Sequence, residues 1–361
     1  MIWSRYLAAA ISFAATAGLL PLVRTLCIRR GLFDAPGPLK IHSQPTPRLG
    51  GTALFLGIFA AMIAASPQRA LASWPFFVGL TLVWLAGLID DLRSLSPALR
   101  LAAQFSAGLF LWIGGWRIPF GSGATSALLN AALVAGLANA VNLLDGMDAL
   151  ATGVCLIIAA AYLTLPPASV GVFARTVSSC VVAACLAFLP ANWPIAAQFL
   201  GDCGSNLLGF LIAFLAIDFY GPRPATPSAL VFPFLVAALP LADAGFAAVR
   251  RLRAGQSPWF GDRKHLYDTA AANGWPVWQI VLTLCALTAV FAAIGLYGVC
   301  TQSPLFWCAA IVAIGLFLGA AIRLGSLQYE PTERATPAGR LAKSEKENEE
   351  EEILTARPYG R

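Results

Sequence analysis

Long apolar blocks separated by short polar breaks run the length of this chain. They lie near residues 3–23, 51–66, 73–89, 98–114, 126–144, 149–165, 170–189, 204–220, 228–249, 276–298 and 303–322. A helix needs about 20 mostly apolar residues to cross the hydrocarbon core, and most of these blocks approach that length. The pattern predicts an all-α integral membrane protein of eleven transmembrane helices. The first block is followed by more of the same and has no small-residue cleavage site, so it reads as a retained helix rather than a signal peptide. After Arg323 the pattern stops: Pro331, Thr336 and Pro337 lead into mixed charge dominated by glutamate from Lys343 to Glu352. Such a stretch has little apolar surface to bury. The expectation is a membrane domain over 1–323 and a disordered cytoplasmic tail over 324–361. No internal repeat is visible, which weakens a transporter built from two inverted halves.

Composition agrees with the pattern. Hydrophobic residues make up 58% and charged residues 12%, against about 25% charged in soluble domains, which excludes a water-soluble fold. The net charge of +6 raises nucleic acid as a partner, but the basic residues flank the spans. Arg24, Arg29, Arg30, Lys40, Arg48, Arg93, Arg250, Arg251, Arg253, Arg263 and Lys264 fall in the first, third and ninth loops. The even loops hold only Arg69, Arg117, Arg175 and Arg223, one apiece. The positive-inside tendency puts the odd loops and the C-terminus in the cytoplasm and the N-terminus outside, and no nucleic acid is needed. The eight cysteines lie mostly inside apolar blocks with no C-x-x-C pair, so they read as small buried residues, not disulfides or zinc ligands.

Outside the tail every acidic residue is an aspartate: Asp34, Asp90, Asp91, Asp145, Asp148, Asp202, Asp218, Asp243, Asp262 and Asp268. All but Asp218 lie in, or at span ends facing, the odd loops, as do both histidines, His42 and His265. An ionisable group at membrane depth costs about 2.5 to 3.5 kcal/mol, so this one-sidedness calls for a reason. Asp90 and Asp91 end a span together. Either they simply stop the helix, or a bound cation relieves their repulsion or one keeps its proton. Asn139, Asn142 and Asp145 are spaced to share a helix face, and Asp148 extends the row if the helix continues past Gly146. The bland reading is a polar stripe between helices; the chemical one is a set of hard oxygen ligands suited to magnesium. Gly201-Asp202-Cys203-Gly204-Ser205 opens a span, offering a carboxylate and free backbone N–H groups to a metal-bound phosphate, although Gly-Asp turns are common. The basic loop from Arg250 to Trp275 and the first loop, with Lys40, His42 and Arg48, supply phosphate-binding groups, or else merely obey the inside rule. Carboxylates for a divalent ion and basic groups for a polyanion, both where helices meet the bilayer, describe phosphoryl transfer with a lipid as second substrate.

The ordered set Asp34-x-Pro36, Lys40-x-His42, Pro47-Arg48-x-Gly50-Gly51, Asp90-Asp91, Asn139-x-x-Asn142-x-x-Asp145-Gly146-x-Asp148, Gly201-Asp202-x-Gly204-Ser205 and Gly255-x-Ser257-Pro258 with Asp262-Arg263-x-His265 resembles the polyprenyl-phosphate N-acetylhexosamine-1-phosphate transferases, the MraY and WecA family. The resemblance covers residues 31–270. It implies a phosphotransferase in the bacterial inner membrane with a cytoplasmic active site. Undecaprenyl phosphate attacks the sugar-linked phosphate of a UDP-N-acetylhexosamine such as UDP-GlcNAc, and UMP leaves. It implies magnesium, or manganese in its place, on Asn142 and Asp202. Asp90 or Asp91 would deprotonate or position the lipid phosphate. Asp145 and Asp148 would line the nucleotide pocket, His265 and Arg263 would grip the diphosphate, and Lys40, His42, Arg48 and Asn139 would bind substrate. A homodimer is a further expectation.

Departures narrow the branch. Leu39 stands where the family often has a basic residue, and Ala149 where it has a second glycine. The last loop's histidine cluster is reduced to His265-Leu266-Tyr267-Asp268, which favours the WecA-like branch that initiates O-antigen, teichoic acid or other envelope glycans over the muramyl-pentapeptide branch. Two other readings make different demands on the sequence. A CDP-alcohol phosphotransferase requires an Asp-Gly-x-x-Ala-Arg sequence, and no arginine follows Asp145-Gly146 in this way. A lipid or ion-coupled transporter predicts polar groups near mid-membrane and on both faces.

Overall fold

The computed structural model describes residues 2–34, 45–221, 226–257 and 264–328, and it is helical almost throughout. Each expected apolar block is a helix. In chain order these are α1 (Ile2–Arg30), α2 (Gly50–Ala65), α4 (Trp74–Leu92), α5 (Pro97–Ile113), α6 (Gly123–Leu144), α7 (Leu150–Thr164), α8 (Val172–Asn192), α9 (Asp202–Tyr220), the pair α10 (Pro227–Val236) and α11 (Ala238–Arg253), α13 (Val277–Thr301) and α14 (Leu305–Arg323). Short helices α3 (Pro67–Ala72) and α12 (Leu266–Ala272) sit in loops, and β1 (Phe33–Asp34) pairs antiparallel with β2 (Thr46–Pro47).

This is an all-α, multi-pass membrane protein, but the span count of eleven is not established. Among the described residues seven helices are individually long and apolar enough to cross, or eight if the bent pair is one span. The shortfall is physical: α2, α5 and α7 have 16, 17 and 15 residues, about 22 to 26 Å at 1.5 Å per residue, short of a hydrocarbon core of about 30 Å. The pair α10 and α11, one block in the sequence, bends by 69°. Pro240, in the first turn of α11, has no N–H to return to the carbonyl of Val236, so the ladder breaks there.

Helix α9 is the axis of the bundle, with nearly every residue buried, and it packs against α2, α4, α6, α7 and α8. Its N-terminal end meets two neighbours at backbone distance. A side chain on Gly51 would put Cβ 2.1 Å from the Cα of Gly204, and one on Gly87 would come within 2.4 Å of the Asp202 carbonyl oxygen. Gly50 and Gly51 also donate N–H bonds to the carbonyls of Phe199 and Leu200 at 2.9 and 2.8 Å. Gly51→Ala is therefore expected to lower stability by about 1–3 kcal/mol, the usual cost of overpacking, read as a fall in the thermal unfolding midpoint. At the opposite end Phe76, Phe173, Phe214 and Trp116 interlock edge to face, and Phe210 packs tilted against Phe76. The first residues of the expected tail form turns in which Ser326 is buried and its carbonyl accepts from Arg250 Nη1; from 329 onward the tail lies outside the described residues.

Candidate active site at one end of the bundle

The site begins where the last turn of α4 meets the first turn of α9. Asp91 Oδ1 accepts from the backbone N–H of Asp202 at 3.0 Å, and Oδ2 from that of Cys203 at 2.9 Å. The next two N–H groups, of Gly204 and Ser205, return to the Gly201 carbonyl. The expectation that this helix start offers free N–H groups to a phosphate is thus corrected: the chain's own carboxylate occupies the positive end of α9. Asp90 does something different. It accepts from Leu95 N at 2.7 Å and Arg100 Nη1 at 2.8 Å, closing the turn between α4 and α5.

The end of α6 completes the cluster. Asn142 Nδ2 donates to Asp202 Oδ1 at 2.5 Å and to Ser205 Oγ at 2.9 Å, holding the Asp202 side chain between α6 and α9. One turn deeper, Asn139 Nδ2 donates to Gln104 Oε1 at 2.6 Å; Gln104 Nε2 donates to Asn206 Oδ1 at 2.7 Å, and Asn206 Nδ2 to the Asp202 carbonyl at 2.7 Å. This relay joins three helices through the buried amides of Gln104 and Asn206 and the half-buried one of Asn139. Helix α6 stops at Leu144 with Asp145 as its C-cap, so Asp148 does not extend the row. Instead Asp148 Oδ2 accepts from Ala196 N at 3.1 Å. Burial, and after it the charges of Asp202, Asp91 and Asp148, push the Asp145 carboxyl well above the usual carboxylate range. Four carboxylates from three segments, the end of α4, the α6–α7 connection and the start of α9, thus meet at one bundle end.

Two basic segments border this cluster. Arg48, just after β2, pairs with Asp34 in β1. His265 precedes α12, buried, with Nδ1 2.7 Å from Asp243 Oδ2. Lys40, His42 and Arg263 lie outside the described residues.

The sequence has relatives of named activity. A family model described as glycosyl transferase family 4 matches residues 73–220, which run from α4 through α9 and include Asp90, Asp91, Asn139, Asn142, Asp145, Asp148 and Asp202. The decaprenyl-phosphate N-acetylglucosaminephosphotransferase of Mycobacterium tuberculosis is 32% identical over 90% of each chain. The chain belongs to glycosyl transferase family 4. Two further relatives are the probable undecaprenyl-phosphate N-acetylglucosaminyl 1-phosphate transferase of Bacillus subtilis, 28% identical over 75% of this chain and 78% of its own, and the undecaprenyl-phosphate alpha-N-acetylglucosaminyl 1-phosphate transferase of Escherichia coli K12, 27% identical over 78% and 81%.

For this family 4 protein the donor set suits magnesium in a particular way. Among the described residues no group of three or more His, Cys, Asp or Glu side chains forms a protein cage for a metal. Magnesium seldom uses one; it takes one or two protein oxygens and fills its octahedron with water and substrate phosphate. Asp202 and Asn142, already locked together, offer that smaller set of hard oxygens. Sequence reasoning passed over Gln104, Asn206 and Arg100, and gave Asp243 and Tyr267 no role of their own. A signal existed for Gln104 and Asp243, each a polar residue inside an apolar block.

Proposed function

We propose that this family 4 enzyme transfers N-acetylglucosamine 1-phosphate from UDP-N-acetylglucosamine to a polyprenyl phosphate such as undecaprenyl phosphate, starting a lipid-linked envelope glycan. The acceptor's phosphate oxygen bonds to the sugar-linked phosphorus, the bond to the other phosphate breaks, and UMP departs with the electron pair. The observation that carries the reading is the joined set Asp91, Asp202 and Asn142 at one end of the bundle, beside Asp145 and within reach of basic segments. The relatives' names supply the sugar and the lipid.

In this reading Asn142 and Asp202 hold magnesium, which when bound neutralises charge on the donor diphosphate. Asp145, whose carboxyl burial and its neighbouring carboxylates push above the usual range, and Asp148 face the nucleotide side. Arg48, Lys40, His42 and Arg263 bind phosphate oxygens; Asn139 acts through the amide relay that sets α6 against α9. Asp90 positions the acceptor side through Arg100. The site faces the cytoplasm of a bacterial inner membrane, with the N-terminus outside. Exposed apolar side chains on α1 and α14, such as Leu7, Ile311 and Leu316, meet lipid or a second copy of the chain. None of the relatives named above is a transporter.

The test incubates purified protein with magnesium, undecaprenyl phosphate and a panel of UDP-sugars while UMP release is followed. Release is expected with UDP-N-acetylglucosamine and in proportion to added acceptor. Folded protein that releases no UMP with any sugar overturns the proposal.

A further inference from the structure

We propose that Asp243 is a positioning residue that fixes the imidazole of His265 for the transfer reaction. The inference rests on the function proposed above and deepens it. Asp243 lies in the middle of α11, 1% exposed, where an acid is costly to bury unless its oxygens are used. Both are. Oδ1 accepts from the backbone N–H of Leu266 at 2.8 Å, and Oδ2 lies 2.7 Å from His265 Nδ1. The first bond anchors the start of α12; the second is one that anchoring a helix does not require.

The second bond determines chemistry. A carboxylate can only accept, so Nδ1 carries a proton and Nε2 becomes the nitrogen presented to a ligand, as acceptor when the ring is neutral and donor when it is charged. The ring plane is fixed as well. Tyr267 stacks on it with centroids 5.6 Å apart and planes 10° from parallel, and its hydroxyl donates to the carbonyl of Leu143 at 3.2 Å. That reach depends on Gly146, where a Cβ would lie 2.0 Å from the tyrosine oxygen. Asp243 from α11 and Tyr267 therefore tie the histidine to the end of α6 that carries Asn142 and Asp145. Tyr267, which stands where the family's histidine cluster is expected, supplies orientation instead of a second imidazole.

The test uses the full chain in detergent or nanodiscs. Asp243→Asn keeps an oxygen for Leu266 N–H but turns a donor toward Nδ1, so the neutral ring must move its proton to Nε2. With only two histidines in the chain, nitrogen NMR resolves this directly, using His42→Gln for assignment and a pH above the usual histidine range. Wild type should show the Nδ1–H form and Asp243→Asn the Nε2–H form. In the UMP-release assay kcat should fall about 10- to 100-fold, with the KM for the polyprenyl acceptor unchanged. Adding Asp243→Asn to His265→Ala should cost nothing further. An unchanged tautomer, or an equal loss in the His265→Ala background, overturns the proposal and leaves Asp243 a helix anchor only. A wild type that never turns over defeats the function proposed above, while the tautomer measurement still decides the pairing.

Discussion

Asp202→Asn should reduce turnover by about 10³-fold, the equivalent of about 4 kcal/mol of charge stabilisation lost at the transferred phosphoryl group. The substitution is close to isosteric. Its oxygen can still accept from Asn142, and its backbone N–H still meets Asp91, so the start of α9 should keep its place. What disappears is one unit of negative charge from the donor set. Because Asp202 raises the proton affinity of Asp145 through repulsion, neutralising it relieves strain among the carboxylates. The thermal midpoint should therefore hold or rise while activity collapses, the usual sign of a site held at a cost to stability. The check is a magnesium titration of UMP release beside a thermal melt. Near-normal turnover at the wild-type magnesium requirement removes Asp202 from the metal site.

The helices were legible because each buries or immerses an apolar block, and that needs no knowledge of neighbours. Which blocks cross a bilayer was less legible: α2, α5 and α7 are short, and the bend before α11 hides inside one apolar run although Pro240 stands in view. The polar cluster divides in the same way. The spacing of Asn139, Asn142 and Asp145 was readable because helical periodicity is local, and α6 carries the first two while Asp145 caps it. Where that helix stops was not local, and Asp148 turned instead to the backbone of Ala196. The partners of Asn139 and Asn142 come from α5 and α9, between 35 and 63 residues away in the chain, and no pattern along one helix reveals them. The same holds for Asp90 and Asp91. Adjacent in sequence, they diverge because one faces the turn into α5 and the other faces the incoming end of α9, a distinction set only when the helices pack.

That divergence predicts the second large effect. Asp91→Ala should destabilise the protein by about 2–3 kcal/mol and cut turnover by about 10²-fold, with a raised magnesium requirement. Two charge-assisted bonds to helix-start N–H groups are lost, each worth about 1.5–3 kcal/mol, while relief of repulsion with Asp145 returns part of that. The bonds dominate because two helix-start N–H groups lose their acceptor at once. With its first turn uncapped, α9 frays at the residue that carries the metal-binding carboxylate, so positioning and activity fail together. Asp91→Asn, which retains one acceptor, should fall between alanine and wild type in both melt and turnover. A residue acting only as a base toward the lipid phosphate makes a different prediction: alanine would abolish turnover while leaving the thermal midpoint and the magnesium dependence where they were. The pair of measurements separates a helix cap that places Asp202 from a proton acceptor, and the bonds at 3.0 and 2.9 Å favour the cap.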